Sequence, residues 1–393
     1  MSCGRIDSAP GKRPGPIKVC YVIDSLSGGG AETQLAVLVK NIDRDRITPT
    51  VCCLTALEPV SRPAEEMQAP ITFFQMDNLF TGTGLREWLR FTRFLRQNQF
   101  DVVHTYLFTA DIAGLLGSFF ARTGIRISSR RDLGFWRKPH HRWFYRYILN
   151  PITHHFIPNA AETAKQLIAG EKVLAARITT IVNGIDTGKF NSATGDSHAK
   201  DRVQLPKGAY PVLGIVASLT AVKGHRHLLE AMRTVLMRYP GALLLIIGSG
   251  SLKENLRMYA AELGIASAVK FLGYQSGVHR IYPQLDLLVS ASLSEATSNT
   301  ILEGMACELP VVATRVGANP QLITSGENGY LCEPGSSASL AEQLLVALDD
   351  LGDGKNVGPA ARLTVTRNYS IPGLVLKTTG LYERLVGARV ACE

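Results

Sequence analysis

The chain has 393 residues, enough for two domains of ordinary size, and 46% hydrophobic with 19% charged residues is the composition of a globular protein. Its net charge at pH 7 is +9, and its seven cysteines form no CxxC pair, which argues against a disulfide framework and a zinc site. No run reaches the roughly 18 apolar residues that a membrane-spanning helix requires, so we expect a cytoplasmic protein.

Residues 1–16 are rich in glycine, proline and basic residues and lack the apolar core of a signal peptide, which predicts a disordered lead-in. From residue 17 onward, short apolar runs alternate with helical patterns, as is typical of a parallel sheet flanked by helices. In the first half, strands are predicted at 18–24, 50–55, 71–76, 101–106, 125–130, 155–159 and 179–182. Helices are predicted at 31–40, 84–97, 110–121 and 161–169.

A polar stretch of turn-forming residues, 191–208, interrupts this alternation. A second alternating run follows, with strands predicted at 211–217, 242–247, 269–272, 286–290, 311–314 and 330–333. The pattern therefore predicts an α/β protein with two Rossmann-like domains, residues 17–200 and residues 201–373. In such sheets a ligand binds outside the carboxyl ends of the strands.

The most informative segment is 294–320, where Glu295 and Glu303 lie eight positions apart. The polar loop 295–299 has small side chains and leads into an apolar helical run at 300–307. A helix N-terminus carries N–H groups without intrahelical partners and a partial positive charge, so it can bind a phosphate. Carboxylates beside such a site are good acceptors for sugar hydroxyls. The pattern indicates a sugar nucleotide as the ligand.

This segment resembles the Glu-x7-Glu signature of the retaining glycosyltransferases of family 4. The matching positions are Leu302, Glu303, Met305 and Ala306, while Ala296 and Ser298 stand at the usual glycine and proline positions. Further blocks resemble the same family in the same order. They are GGGAE at 28–32, NGID at 183–186 with Phe190, VKGH at 222–225, IGSG at 247–250 and FLG at 271–273.

The resemblance implies a GT-B fold, in which two Rossmann-like domains face each other across a cleft. The first domain would bind the acceptor, the second would bind a nucleoside-diphosphate sugar, and a last helix within 374–393 would cross back to the first. UDP is the carrier favoured by family frequency. The acceptor would be a glycan or a lipid-linked molecule of bacterial polysaccharide or glycolipid biosynthesis. We expect no metal, because no Asp-x-Asp motif ends a strand, and no other cofactor.

In the second domain, the resemblance assigns Lys223 to the diphosphate, Glu295 to the donor sugar and Glu303 to the ribose hydroxyls. The residues expected to offer backbone amides to the phosphates are Ser298, Asn299 and Thr300. Ser218 stands where the family usually carries an arginine. A hydroxyl cannot neutralise phosphate charge, so stabilisation of the departing nucleotide would rest on Lys223 and backbone donors.

In the first domain, Gly29 and Gly30 open a helix after a predicted strand and allow close approach of the backbone to a ligand. The third glycine of a dinucleotide-binding fingerprint is missing, so we expect this loop to face the donor diphosphate or the acceptor. His104 ends a strand and is either a catalytic residue or a hydrogen-bonded core histidine. Arg131 lies where many relatives carry a histidine near the donor sugar, and its guanidinium cannot act as a base.

Two basic stretches contain several aromatic residues, 86–96 and 135–147. Such stretches suit an anionic membrane surface, and they also suit ordinary helices that bury the rings and leave the arginines in water. At 86–96 we expect an ordinary helix that buries its rings and leaves its arginines in water. At 135–147 we expect contact with a membrane or an acceptor. That contact would hold the protein peripherally at the inner face of the cell membrane. No nucleic-acid partner is expected, because no recognised binding module is present.

Two alternatives to a transferase remain open. A hydrolysing sugar-nucleotide epimerase has the same two-domain architecture and would isomerise the sugar nucleotide without an acceptor. A non-catalytic sugar-nucleotide-binding protein, suggested by Ser218 and by the 128–132 segment, would bind without turnover.

Overall fold

The computed structural model describes residues 15–55, 65–76, 79, 81–134, 137–192 and 203–390. The chain divides into two compact units, which we call unit 1 (residues up to 184 and from 371) and unit 2 (185–370). The first division lies earlier than the position near 200 expected from the sequence. Ile185 already belongs to unit 2, because its N–H donates to the Tyr369 carbonyl at 2.8 Å. Residues 1–14 of the expected lead-in and 193–202 of the polar stretch lie outside the described residues.

Unit 1 is built on a parallel sheet whose six strands follow the order β3-β2-β1-β4-β5-β6. The strands are β1 (Ile17–Ile23), β2 (Ile47–Cys53), β3 (Ile71–Phe73), β4 (Val102–Tyr106), β5 (Ile125–Arg130) and β6 (His155–Pro158). Their residues are mostly buried, since helices cover both faces of the sheet. The predicted strand at 179–182 is wrong. Ile178, just before this segment, forms an isolated bridge with Phe156, and the Thr179 and Ile181 N–H groups donate to β6 carbonyls at 3.0 Å without forming a regular strand.

The helices of unit 1 divide between the two faces of this sheet. They are α1 (Gly30–Asn41), α2 (Gly82–Asn98), α3 (108–121, with a π segment Asp111–Leu115), α4 (139–152, with a π segment Tyr145–Leu149), α5 (Ala161–Glu171) and the last helix, α12 (Ile371–Val390). Tyr21 and Ile23 of β1 pack in one core cluster with α1 and α12. The alternate residues Cys20 and Val22 pack in another cluster with α2 and α3, because successive strand residues face opposite sides.

Unit 2 contains a second parallel sheet, with the order β12-β11-β10-β7-β8-β9. The strands are β7 (Val212–Val216), β8 (Leu243–Ile247), β9 (Val269–Gly273), β10 (Leu287–Ser290), β11 (Val311–Thr314) and β12 (Tyr330–Cys332). The helices are α6 (His225–Arg238), α7 (Lys253–Glu262), α8 (Asn299–Ala306), α9 (Asn319–Leu322), α10 (Ser337–Gly352) and α11 (Gly358–Asn368). The chain runs from β7 to β8 on one side, whereas β10 pairs with β7 on the other. The loops after β7 and β10 therefore meet at the topological switch point, where open α/β sheets bind ligands.

Both sheets agree with the predicted α/β class. Among the described residues, no helix combines the length and the apolarity needed to cross a bilayer.

Candidate functional site

The switch point of unit 2 brings Lys223 and Glu295 together. The Lys223 Nζ and the Glu295 Oε2 form an ion pair, and the Ser292 hydroxyl donates to the same carboxylate oxygen at 3.4 Å. Between the two loops, the Leu293 N–H donates to the Val222 carbonyl at 2.7 Å. Both side chains are largely shielded from solvent, which strengthens their attraction. Two of the predicted site residues are thus joined across the sheet switch point.

Two glycines allow this close approach of the loops. Gly224 follows Lys223 with φ +66°, and a Cβ at this position would lie 1.9 Å from the Ala291 carbonyl oxygen. Gly317 has φ +55°, and a Cβ there would lie 1.7 Å from the Glu295 carbonyl oxygen. Neither position can hold a side chain without moving the backbone that carries the ion pair.

We expect Gly224→Ala to lower the free energy of unfolding by about 3 kcal/mol or more, because it combines a left-handed backbone with a backbone clash. The matched control is Gly264→Ala. Gly264 has a similar φ of +73° but no atom within 4 Å of its Cβ position, so that variant should lose only about 1 kcal/mol. Urea unfolding measures both. Equal losses would mean that the approach to Ala291 imposes no constraint.

The helix α8 begins beside this pair, and its first residues are those expected to bind phosphate. The Ser298 hydroxyl accepts the Ile301 N–H at 3.4 Å as an N-cap, and the Thr300 hydroxyl donates to the Val216 carbonyl at 3.0 Å. Both side chains therefore fix the start of the helix against the end of β7. What Ser298, Asn299 and Thr300 present to a ligand is the positive end of the helix and its first amides.

Glu303 lies on the second turn of α8 in a partly buried position. The Tyr282 hydroxyl donates to the Glu303 Oε2 at 2.7 Å, and the Tyr282 ring packs at 6.0 Å from that of Phe190. Burial raises the pKa of Glu303 to about 7, against the opposing effects of the Tyr282 hydrogen bond and the nearby Lys189 charge. Sequence reasoning missed Tyr282. No pattern at 278–284 marks it, because only the folded chain brings it to Glu303.

Ser218 is exposed at the end of β7. Its carbonyl accepts from the His225 Nε2 at 3.0 Å, and its hydroxyl lies 3.5 Å from that of Thr220. Ser218 brings no positive charge to the position where the family usually has an arginine. Among the described residues, no cluster of three His, Cys, Asp or Glu side chains is arranged to hold a metal ion.

The glycine loop of unit 1 encloses a carboxylate of the same unit. Gly29 is the N-cap of α1, and a Cβ on Gly29 would lie 2.4 Å from the Glu32 Oε2. The Glu32 Oε1 accepts from the Ser25 hydroxyl at 3.1 Å. The missing side chain of Gly29 therefore leaves room for the carboxylate of Glu32, which lies in the first turn of α1. The predicted contact of Gly29 and Gly30 with a donor or acceptor stays a prediction.

His104 lies in the core of unit 1. Its Nδ1 lies 2.7 Å from the Tyr382 hydroxyl and its Nε2 lies 2.8 Å from the Ser129 hydroxyl. Burial, together with the charge of Arg131, lowers the pKa of His104 well below its usual value. This arrangement matches the second possibility raised by the sequence, a neutral core histidine with both ring nitrogens hydrogen-bonded. A catalytic role of His104 stays a prediction.

Arg131 and Arg130 occupy different environments although they are adjacent. The Arg131 Nη1 donates to the Asn183 Oδ1 at 2.8 Å, and its guanidinium lies 5.1 Å from the Tyr106 ring centre. Arg130 is buried and pairs with Asp111 at 2.6 Å and with Glu171 at 3.4 Å. Arg131 thus hydrogen-bonds to Asn183 within unit 1, and its predicted contact with the donor stays a prediction. Arg130 belongs to a buried ionic network that the sequence did not reveal.

Comparison with known proteins identifies the family and the fold. The family profile "Glycosyltransferase Family 4" matches residues 28–189, and "Glycosyl transferases group 1" matches residues 196–364. A crystal structure of Anabaena Alr3699/HepE in complex with UDP and glucose superposes with a TM-score of 0.83 at 21% identity, covering 94% of this chain and all of the other. The predicted GT-B fold is confirmed, and the chain belongs to the family 4, group 1 type of glycosyltransferases.

Similar sequences cover about half of each chain. The N-acetyl-alpha-D-glucosaminyl L-malate synthase of Bacillus anthracis is 29% identical over 210 residues, which are 52% of this chain and 53% of the synthase. The lipopolysaccharide core biosynthesis glycosyltransferase LpsE of Rhizobium meliloti is 31% identical over 188 residues, which are 45% of this chain and 54% of LpsE.

Proposed function

We propose that the protein transfers a sugar from a nucleoside diphosphate to an acceptor hydroxyl with retention of the anomeric configuration. The observation that supports this most strongly is the ion pair of Lys223 and Glu295 beside the start of α8, with Glu303 one to two turns along the same helix. A diphosphate, a sugar and a ribose require these groups: a cation with helix amides, and two carboxylates that accept hydroxyl hydrogen bonds.

In the proposed reaction, Lys223 leaves Glu295 and moves to the diphosphate as the donor binds. The acceptor oxygen forms a bond to the anomeric carbon on the face from which the nucleotide departs. The bond between that carbon and the phosphate oxygen breaks, and its electron pair stays on the phosphate. The acceptor proton passes to the same phosphate oxygen, so no protein base is required. Lys223 and the α8 amides stabilise the charge that develops on the leaving group.

We propose UDP as the nucleotide, without a metal or another cofactor. The UDP and glucose bound in the HepE structure support this choice. We also propose a glycan or lipid-linked acceptor in bacterial polysaccharide or glycolipid synthesis, which the described role of LpsE supports. The site would then work on the cytoplasmic side, at the inner face of the membrane.

Thermal unfolding with UDP, GDP and ADP tests the donor site. A ligand at about 100 times its dissociation constant adds roughly 2.7 kcal/mol, so UDP should raise the unfolding temperature by several degrees and the other two by less. No shift with any nucleotide would contradict the proposal. Incubation with UDP-sugars then separates the alternatives: isomerised sugar nucleotide without acceptor indicates an epimerase, and binding without any product indicates a non-catalytic protein.

A further inference from the structure

The helices α2, α3 and α4 carry exposed apolar side chains on their outer surface. We call this surface the arginine–aromatic face. Its apolar members are Leu85, Leu89, Phe119, Phe120, Trp143 and Tyr147. Phe120 is 61% exposed, Trp143 57% and Tyr147 54%, although such large side chains normally pack inside. Large apolar side chains exposed on neighbouring helices of one face indicate an interaction surface.

The structure separates these residues from their buried neighbours. On α2, Phe91 and Leu95 are fully buried, and the Trp88 indole N–H donates to the Ala113 carbonyl at 3.1 Å. These side chains pack in the core, as expected for 86–96. On α4, Tyr145 is buried, whereas Trp143 and Tyr147 point to solvent with their ring centres 5.7 Å apart. Phe135 and Trp136 of that stretch lie outside the described residues.

The charges that surround these apolar side chains are positive. Exposed arginines are Arg86, Arg93 and Arg96 on α2, Arg122 after α3, and Arg142 and Arg146 on α4. Among the described residues of the three helices, the carboxylates are Glu87, paired with Arg90 at 2.8 Å, and the buried Asp111. Charge complementarity therefore favours a partner with an anionic surface.

The positive charge is concentrated further at the ends of α2 and α3. A cavity of about 580 Å³ is lined there by three arginines, Arg96, Arg122 and Arg389, and by one carboxylate, Asp101, which accepts the Lys18 N–H at 2.9 Å. Phe119 and Phe120 lie three and two residues before Arg122 in the chain, so exposed rings lie close to this cavity. These ends of the helices lead into the amino ends of β4 and β5.

We infer that unit 1 binds an anionic lipid bilayer through the arginine–aromatic face. The leucine and aromatic side chains enter the headgroup region, and the arginines contact the lipid phosphates. A nucleic acid would pair with the arginines, but its phosphates and sugars would leave the exposed leucines and phenylalanines without apolar contacts. This inference does not depend on the proposed reaction, because vesicle binding is measured without donor or acceptor.

Vesicle co-sedimentation with the full chain tests the inference. Vesicles of phosphatidylcholine with about one third phosphatidylglycerol should bind at least about tenfold more protein than phosphatidylcholine alone. The triple variant Phe119→Ser, Phe120→Ser, Trp143→Ser should lose about tenfold in binding and still unfold cooperatively, since each of these side chains is at least 45% exposed. The matched control replaces exposed side chains of unit 2, Met237→Ser, Met258→Ser and Leu363→Ser, and should bind like the wild type.

Tryptophan fluorescence supplies a second readout. Anionic vesicles should shift the emission to the blue in the wild type and produce a much smaller shift in Trp143→Phe, because Trp143 enters a less polar environment. Absence of wild-type binding, full binding by the triple variant, or an unchanged shift in Trp143→Phe would each overturn the inference. So would self-association that the triple variant abolishes in light scattering, because the face would then bind a second copy of the chain.

Discussion

Replacing Glu303 by alanine is expected to weaken UDP binding by about 1.5–3 kcal/mol, or roughly 10- to 150-fold. In the proposed site, the carboxylate accepts the ribose hydroxyls while the Tyr282 hydroxyl holds its Oε2 at 2.7 Å. Alanine removes the acceptor and leaves the Tyr282 hydroxyl without its partner. Isothermal titration with UDP measures the loss. The matched control is Asp350→Ala, which also removes a tyrosine-bonded carboxylate of unit 2 but at the end of α10, and should leave the affinity unchanged.

Removing the charge of Glu303 should weaken UDP binding but increase the free energy of unfolding above neutral pH. Burial raises the pKa of Glu303 to about 7 in the folded protein, against 4.5 for an ordinary glutamate. The folded state therefore keeps this proton to higher pH than the unfolded state, and ionisation costs stability as pH rises from about 4.5 to 7. Glu303→Gln has no such titration, so its stability relative to the wild type should increase over this range. If Glu303→Gln is no more stable relative to the wild type at pH 8 than at pH 4.5, the raised pKa of Glu303 is contradicted.

Replacing Lys223 by alanine is expected to lower kcat by roughly 100- to 1,000-fold, the effect of removing one preorganised group that stabilises transition-state charge. The effect should be large in this chain, because Ser218 stands where the family usually has an arginine. Stability should change far less than turnover, since the Lys223 side chain is not fully buried and contributes one ion pair. A transfer assay with UDP-sugar and the accepted acceptor measures kcat. Unchanged turnover would remove Lys223 from the mechanism.

A double variant and a control variant distinguish stabilisation of the leaving phosphate by Lys223 from the effect of breaking the Lys223–Glu295 ion pair. If Lys223→Ala acts only by leaving the Glu295 charge without its partner, the additional change Glu295→Gln should restore activity, because glutamine removes that charge and keeps an oxygen that can accept a hydrogen bond from the donor sugar. If Lys223 neutralises the departing phosphate, the double variant should stay as slow as the single one or be slower. Lys355→Ala is the matched control, because it breaks another lysine–carboxylate pair of unit 2, with Asp350 at 2.8 Å, and should keep full activity.

Single residues show where the sequence was insufficient. Position alone made His104 a candidate, since it was expected to end a strand at the edge where ligands bind, whereas it is the central residue of β4. The fold surrounds it with Tyr382, from the far end of the chain, and with Ser129, and both ring nitrogens are used inside the core. Arg131 likewise makes its hydrogen bond to Asn183, more than fifty positions away. Such partners depend on how strands and helices pack, which local patterns do not encode.

The sequence by itself determined the α/β class, most strands of both sheets, and the loop and helix that carry Glu295 and Glu303, because alternating apolar runs and helix-start signals are local properties. Only the tertiary structure decided which side chains meet. It joined Lys223 to Glu295 across the β7–β10 switch point, brought Tyr282 to Glu303, buried His104 and left Trp143 in solvent. The reason is physical: a contact between residues distant in sequence is fixed by the register and packing of whole elements, and no short segment contains that information.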